Sequence, residues 1–257
     1  MKNKVIMLTG ASGQLGKCFI RNIIERKGKI LAIDKSIKTL KDYIKKEKID
    51  ENYILPIQCN IVSEKSVKNA IEKGIKKFGK INYQINNAGV NVFTSWKNRK
   101  EKEIDFVTDV NLKGTLNCIK NFINYCNEHN IKGSIVNISS VYSISVPDLR
   151  IYVDLDRKNS EIYGATKSGI NQLTKYFAVN ARLDGADVRI NAVAPGGILN
   201  PDSPQGEKFQ KEYNKRVPLK RMARENEIIK PTLFLLSDDA SYINGHILVI
   251  DGGMSAW

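Results

Sequence analysis

Thr9-Gly10-Ala11-Ser12-Gly13-Gln14-Leu15-Gly16 follows the apolar run Val5-Ile6-Met7-Leu8 and leads into a helix-patterned segment, and its reading decides the fold. Glycines at a strand-to-helix turn permit positive φ and let the backbone approach a ligand, while the free N–H groups of the helix N-terminus attract anions. A first strand, such a turn, a helix and then an acidic residue after the second strand form the pattern that binds a dinucleotide pyrophosphate. Asp34 is that acidic residue, eighteen positions beyond Gly16. Gly10, Ser12, Gly13, Leu15, Gly16 and Asp34 are therefore candidate cofactor contacts. A carboxylate there accepts from ribose hydroxyls and repels a 2′-phosphate, so NAD is the expectation; Lys35 beside it keeps NADP as the lesser one.

Working outward, apolar runs recur at Lys29–Ile33, Ile54–Ile57, Ile81–Ile85, Ser134–Ile138, Val188–Val193 and His246–Ile250. Segments of helical period lie between them, at Lys17–Arg26, Ser63–Lys77, Val107–Asn127, Tyr163–Asn180 and Ile228–Leu236. This alternation predicts an α/β chain: a single-domain Rossmann fold over residues 1–257, with a doubly wound parallel sheet of about seven strands flanked by helices. Two stretches rich in Pro, Asp, Ser and charge, 141–162 and 197–217, are expected to leave the core as substrate-side loops.

Composition narrows the function. The formal net charge is +14, but the lysines are scattered and no aromatic-interleaved basic motif emerges, so nucleic acid is not expected as a partner. No apolar stretch approaches the roughly 18 residues of a membrane span, and the N-terminal apolar run is too short for a signal peptide; the expected location is the cytoplasm. Cys18, Cys59, Cys118 and Cys126 contain no C-x-x-C pair and only two histidines accompany them, which predicts buried thiols and no metal site.

Tyr163-Gly164-Ala165-Thr166-Lys167 opens a predicted helix, and the i, i+4 spacing puts an ammonium beside a phenol. A neighbouring positive charge favours phenolate and is expected to lower the tyrosine pKa, making Tyr163 an acid/base for an alcohol or carbonyl oxygen. Alone, such a pair is common on helix surfaces. Three features accompany it. Ser139-Ser140 ends an apolar strand at the carboxyl side, where open α/β sheets place ligands; Asn86-Asn87-Ala88-Gly89 follows another strand; and Asn111 lies within a long amphipathic helix, where asparagine is not favoured for its own sake. Turn chemistry for the first two and a solvated or capping amide for the third are the plainer alternatives.

Together these residues, with Pro195-Gly196 and the ending Asn244-Gly245 to Asp251-Gly252-Gly253, resemble the short-chain dehydrogenase/reductase family over nearly the whole chain. The resemblance implies hydride transfer with Tyr163 as acid/base, Ser140 orienting the substrate oxygen, Lys167 holding the nicotinamide ribose and lowering the tyrosine pKa, and Asn111 anchoring a relay water. It assigns Tyr163, Lys167, Asn87, Ala88, Gly89, Pro195, Gly196 and Ile198 to the cofactor, and puts Asn60, followed by Ile61, where the family has an adenine-binding aspartate. The glycine spacing G-x-x-G-x-x-G resembles that of the family's longer, nucleotide-sugar-modifying branch.

The 23-residue separation of Ser140 and Tyr163 exceeds the family's usual spacing. This insertion resembles the subgroup that includes flagellin modification protein A and surface-polysaccharide oxidoreductases, which implies an anionic sugar, a sugar phosphate or nucleotide sugar, as substrate. Arg150, Arg157, Lys158, Arg216, Lys220 and Arg221 in and after the two loops would suit one. Two rivals stay open: a 3-oxoacyl-thioester reductase using NADPH, and a non-catalytic dinucleotide- or nucleic-acid-binding protein. The resemblance also implies a homotetramer or homodimer, with the apolar C-terminal segment as the expected contact.

Overall fold

The computed structural model describes residues 1–152, 158–202 and 204–256. Seven strands form one parallel sheet in the order β3-β2-β1-β4-β5-β6-β7: β1 Val5–Thr9, β2 Lys29–Asp34, β3 Ile54–Gln58, β4 Tyr83–Asn86, β5 Gly133–Ile138, β6 Val188–Pro195 and β7 Ile247–Ile250. Register follows the apolar runs, with Val5 opposite Lys29 and Ile6 opposite Tyr83. Successive side chains of a strand face opposite sides of the sheet. Ile6 and Leu8 accordingly pack with Phe19, Ile20, Ile228 and Leu233 on one side, and Val5 and Met7 with Phe122, Ile119, Ala178 and Ile190 on the other. The four cysteines are buried free thiols. No helix among the described residues is long and apolar enough to cross a membrane.

The covering helices are α1 Gln14–Glu25, α2 Ile37–Lys46, α3 Glu64–Phe78, α4 Glu101–Thr108, α5 Thr115–Glu128, α6 Glu161–Leu183, α7 Glu207–Arg216 and α8 Glu225–Leu236. Two of them, α2 and α7, and all of α4 but its last two residues lie outside the helical segments expected from periodicity. Each buries only one or two side chains, Leu40 and Tyr43, Val107, and Phe209 and Tyr213, so their apolar period is faint against a lysine- and glutamate-rich background. The segment expected as one helix over 107–127 is interrupted by a π-helical turn, Asp109–Gly114, which carries Asn111. Buried Arg189 closes α8 by donating to the Leu235, Leu236 and Ser237 carbonyls, a cation at the negative end of the helix.

The two expected excursions are not separate loops. Ile151 and Tyr152 of the first pack with Phe209, Tyr213 and Val217 of the second, and with Met222 beyond it, in a small apolar cluster of their own. The Tyr152 and Phe209 rings lie 5.1 Å apart at 44°. This cluster walls the carboxyl edge of the sheet, and sequence order reverses there between β1 and β4, the position where open α/β sheets bind ligands.

Candidate active site

Two connected cavities lie along that edge. One, of about 610 Å³, is lined by Gly10, Ser12, Gly13, Leu15, Asp34, Lys35, Asn60, Ile61 and Asn87 to Val90. The other, of about 880 Å³, is lined by Ser140, Tyr163, Lys167, Pro195, Gly196 and Ile198 among others. Gln14, Leu15, Asn87, Gly89, Val90 and Phe106 border both, so the two form one elongated cleft.

The first cavity fits a dinucleotide's adenosine and phosphates. Gly10 has φ +64°, and a Cβ there would stand 2.8 Å from Ala88 Cα; a Cβ on Gly16 would stand 2.3 Å from the Gly10 carbonyl oxygen. The turn is therefore closed to any larger residue and presents bare backbone. Gly13 precedes α1 without a side-chain cap, leaving the helix's first N–H groups for an anion. Asn87 fastens the Asn-Asn-Ala-Gly turn to this loop by donating to the Thr9 and Gly10 carbonyls at 3.1 and 2.9 Å. Thr9 Oγ1 accepts from the Asn87 and Ala88 N–H groups. The Asp34 carboxylate accepts from the Ser12 and Ser36 N–H groups at 2.9 and 2.8 Å, which fixes its plane at the cavity wall. Asn60 Oδ1 accepts from Val62 N–H, and Ile61 is buried behind Asn60.

The second cavity gathers residues from three elements. Ser160 caps α6, its hydroxyl accepting from the Tyr163 N–H, and the helix carries Tyr163 and Lys167 on one face. Lys167 Nζ lies 5.6 Å from the centre of the Tyr163 ring and donates to the Ile138 carbonyl at 2.7 Å. Ser140, just past β5, hydrogen-bonds the Tyr163 side chain, whereas Ser139 donates to the Lys167 carbonyl at 3.2 Å and holds the helix to the sheet. The hydroxyl at the phenol is thus that of the second serine. Asn111 pairs with the Val90 backbone, accepting from its N–H at 2.8 Å and donating to its carbonyl at 2.9 Å, and also donates to Thr166 Oγ1. A Cβ on Gly89 would meet Lys167 Nζ at 3.4 Å and Asn111 Oδ1 at 3.5 Å, so all four sequence-chosen polar residues converge on one corner.

The electrostatics correct one expectation. Burial pushes the Tyr163 phenol up, and the Ser140 hydrogen bond only partly offsets it; the lysine is not a cause of any lowering. Lys167, 3% exposed and without a carboxylate beside it, is itself pushed down by burial to about 8. Tyr163 therefore holds its proton through the neutral range and stands as an acid.

The cations expected to meet an anionic substrate do not line the second cavity. Arg150 and Arg216 both pair with Asp148, whose carboxyl Arg150 chiefly holds down at about 2. Arg221 pairs with Glu227, Lys220 donates to the Lys215 carbonyl, and Lys158 is exposed. Arg157 lies outside the described residues. Among apolar side chains such as Phe93, Phe106, Val141, Phe209 and Met222, the wall carries amides and phenols that sequence reasoning missed: Asn91, Asn159, Gln205, Tyr142, Tyr152 and Tyr213. Asn200 is there too, its side chain accepting from the Asp202 N–H. Gln14, inside the quoted glycine turn, reaches across the cleft to the Leu199 carbonyl at 2.9 Å.

A parallel sheet with a dinucleotide cradle and a serine-tyrosine-lysine corner defines an NAD(P)-linked oxidoreductase. Residues 15–255 match a family profile described as enoyl-(acyl carrier protein) reductase. The chain is 32% identical over 255 residues to 3-oxoacyl-(acyl-carrier-protein) reductase FabG of Thermotoga maritima, covering 99% of this chain and 98% of that protein. It is 28% identical over 261 residues to the post-translational flagellin modification protein A of Campylobacter coli, covering 98% of each. A short chain dehydrogenase from Leptospira borgpetersenii with bound NAD+ superimposes with a TM-score of 0.87 at 30% identity, over 99% of this chain and 94% of that one. ElxO with NADP bound gives 0.83 at 27% identity over the full length of both. The chain belongs to the short-chain dehydrogenase/reductase family.

Proposed function

We propose that this protein transfers a hydride between NAD and a hydroxyl or carbonyl carbon of a sugar, in the cytoplasm and in the service of surface-glycan synthesis. The observation that carries the chemistry is the contact of Ser140 with the Tyr163 phenol beside buried Lys167, at one end of a cleft whose other end suits an adenosine. Tyr163 and Lys167 would hold the nicotinamide ribose, and Gly10 to Gly16, Asp34, Asn60, Ile61, Asn87 to Gly89, Pro195, Gly196 and Ile198 the remainder of the dinucleotide. When bound, the dinucleotide supplies or takes the hydride at the reacting carbon. In the reducing direction the Tyr163 proton passes to the carbonyl oxygen as the carbon gains hydride, and Ser140 hydrogen-bonds that oxygen as negative charge develops. Asn111, held at Val90, anchors the water that returns a proton to the site.

Support for a sugar comes from the amides and phenols set among the apolar side chains of the wall, which suit a ring bearing several hydroxyls and apolar C–H faces. The expected phosphate or nucleotide has no cation on the described wall besides Lys167, so its charge would sit beyond that wall. Asp34, on the wall of the adenosine cavity with its carboxylate held by two backbone N–H groups, favours NAD over NADP. The test is reduction of NAD+ with a panel of sugar phosphates and nucleotide sugars, set against oxidation of NADPH with acetoacetyl thioesters. Turnover of the thioester alone would replace the sugar reading with the reductase reading that the FabG relative supports.

A further inference from the structure

The insertion between Ser140 and Tyr163 returns a connected set of polar side chains to the cavity those two residues line. Asn159 Nδ2 donates to the Tyr152 hydroxyl at 2.6 Å, and Asn91 Nδ2 donates to Asn159 Oδ1 at 2.6 Å. Asn91 Oδ1 is filled in turn by the Ser160 hydroxyl at 2.6 Å and by the Val92 N–H at 2.8 Å. Tyr142, two residues past Ser140, gives its N–H to the Ser140 hydroxyl and brings its own phenol against both Tyr152 and Asn159. Three stretches of chain, the segment after β4, the turn after β5 and the insertion, meet here. Asn91, Tyr142, Tyr152 and Asn159 all border the cavity that holds Ser140 and Tyr163.

The hydrogen-bond count leaves something over. Two phenols carry two protons between them, while the Tyr152 hydroxyl serves the network as an acceptor from Asn159. Asn159 Oδ1 and Asn91 Oδ1 already accept within the network. Burial pushes the Tyr142 phenol up, so it stays protonated. The packing of Tyr152 on Phe209 and the capping of α6 by Ser160 hold the group rigid, so little ordering remains to be done on binding.

The geometry points to Tyr142, Tyr152 and Asn159 as a subsite that hydrogen-bonds a second, non-reacting hydroxyl of the substrate, which makes them specificity-determining residues for polyhydroxylated rings. This rests on the hydride-transfer reading above and names what the insertion admits. A site built to bond a hydroxyl discriminates strongly against the analogue lacking it, because its own polar groups are then left buried without a partner.

The test uses three rings of one carbon skeleton, cyclohexanol, trans-cyclohexane-1,2-diol and myo-inositol, as reductants of NAD+ with the intact enzyme. At least one of the hydroxylated rings is expected to exceed cyclohexanol in kcat/KM by about tenfold or more, chiefly through KM. Tyr152→Phe, which keeps the ring on Phe209, and Asn159→Ala are each expected to shrink that ratio to within about threefold of unity. Cyclohexanol oxidised as well as the hydroxylated rings would overturn the subsite while leaving the hydride-transfer reading standing. A wild-type preference that both substitutions leave intact, both rates falling by one factor, would also overturn it. Oxidation of none of the three by enzyme that binds NADH would overturn the sugar reading, and the subsite with it.

Discussion

Replacing Lys167 by methionine should weaken catalysis and change the pH dependence of stability in a direction that the burial of this side chain fixes. The ammonium is 3% exposed, faces the Ile138 carbonyl and has its pKa pushed from 10.5 to about 8 by burial alone. At ~1.4 kcal/mol for each tenfold, its charged form is about 3 kcal/mol worse off in the folded chain than in the unfolded one. Below pH 8 both states carry the charge and the whole cost is present. Between about 8 and 10.5 the folded chain has lost the proton and the unfolded chain has not, so wild-type stability gains with rising pH until both are neutral. Methionine matches the length, carries no charge and leaves the Ile138 carbonyl without its donor, a loss of about 1 to 3 kcal/mol. At pH 7 the two effects nearly cancel. The informative quantity is the stability of the variant minus that of wild type, measured by urea unfolding at a series of pH values. It should fall by about 3 kcal/mol between pH 7 and pH 10.5. A difference that stays flat, or grows, would refute the assignment of Lys167 as a buried charge held by desolvation. Turnover of the variant should drop by about 100-fold or more, with weaker dinucleotide binding.

Tyr163→Phe removes only the acid proton, so turnover should fall by about 100-fold or more while NADH still binds in a fluorescence titration; undiminished turnover would remove Tyr163 from the chemistry. Ser140→Ala should lower kcat by about 100-fold, whereas Ser139→Ala should act mainly on stability, by about 1 kcal/mol, through its lost bond to the Lys167 carbonyl. Asp34→Ala should weaken NADH about tenfold and strengthen NADPH, read as the ratio of the two dissociation constants, because it removes a carboxylate that a 2′-phosphate must otherwise approach. Gly10→Ala forces a Cβ to 2.8 Å from Ala88 Cα at φ +64°, and should abolish dinucleotide binding and lower the melting temperature.

Much of the architecture is legible in the sequence. Strands of a parallel sheet are buried on both faces and read as continuous apolar runs, which is why all seven expected strands have observed counterparts. The glycine turn was legible because its conformation admits little else, and Tyr163 with Lys167 because i and i+4 share a helical face. Asn111 stood out as an asparagine in an amphipathic pattern, but the π turn that carries it did not, since a widened turn has no composition of its own. Helices α2 and α7 and most of α4 escaped for want of buried side chains.

What the chain order alone determined is the sheet, the dinucleotide cradle and the order of the serine, tyrosine and lysine. These are local: each depends on a period, a turn or a spacing of a few residues. Only the tertiary structure decided how charge and polarity are distributed around the substrate. Arg150 and Arg216 read as free cations until the fold set both on Asp148, and Arg221 until it met Glu227. Tyr142, Tyr152 and Asn159 stand in the sequence only as members of an expected substrate-side loop and Asn91 carries no signal at all; packing of Ile151 and Tyr152 against α7 draws them to one wall. The pKa of Lys167 followed the same rule, since desolvation depends on everything packed around a group and not on its neighbours in sequence.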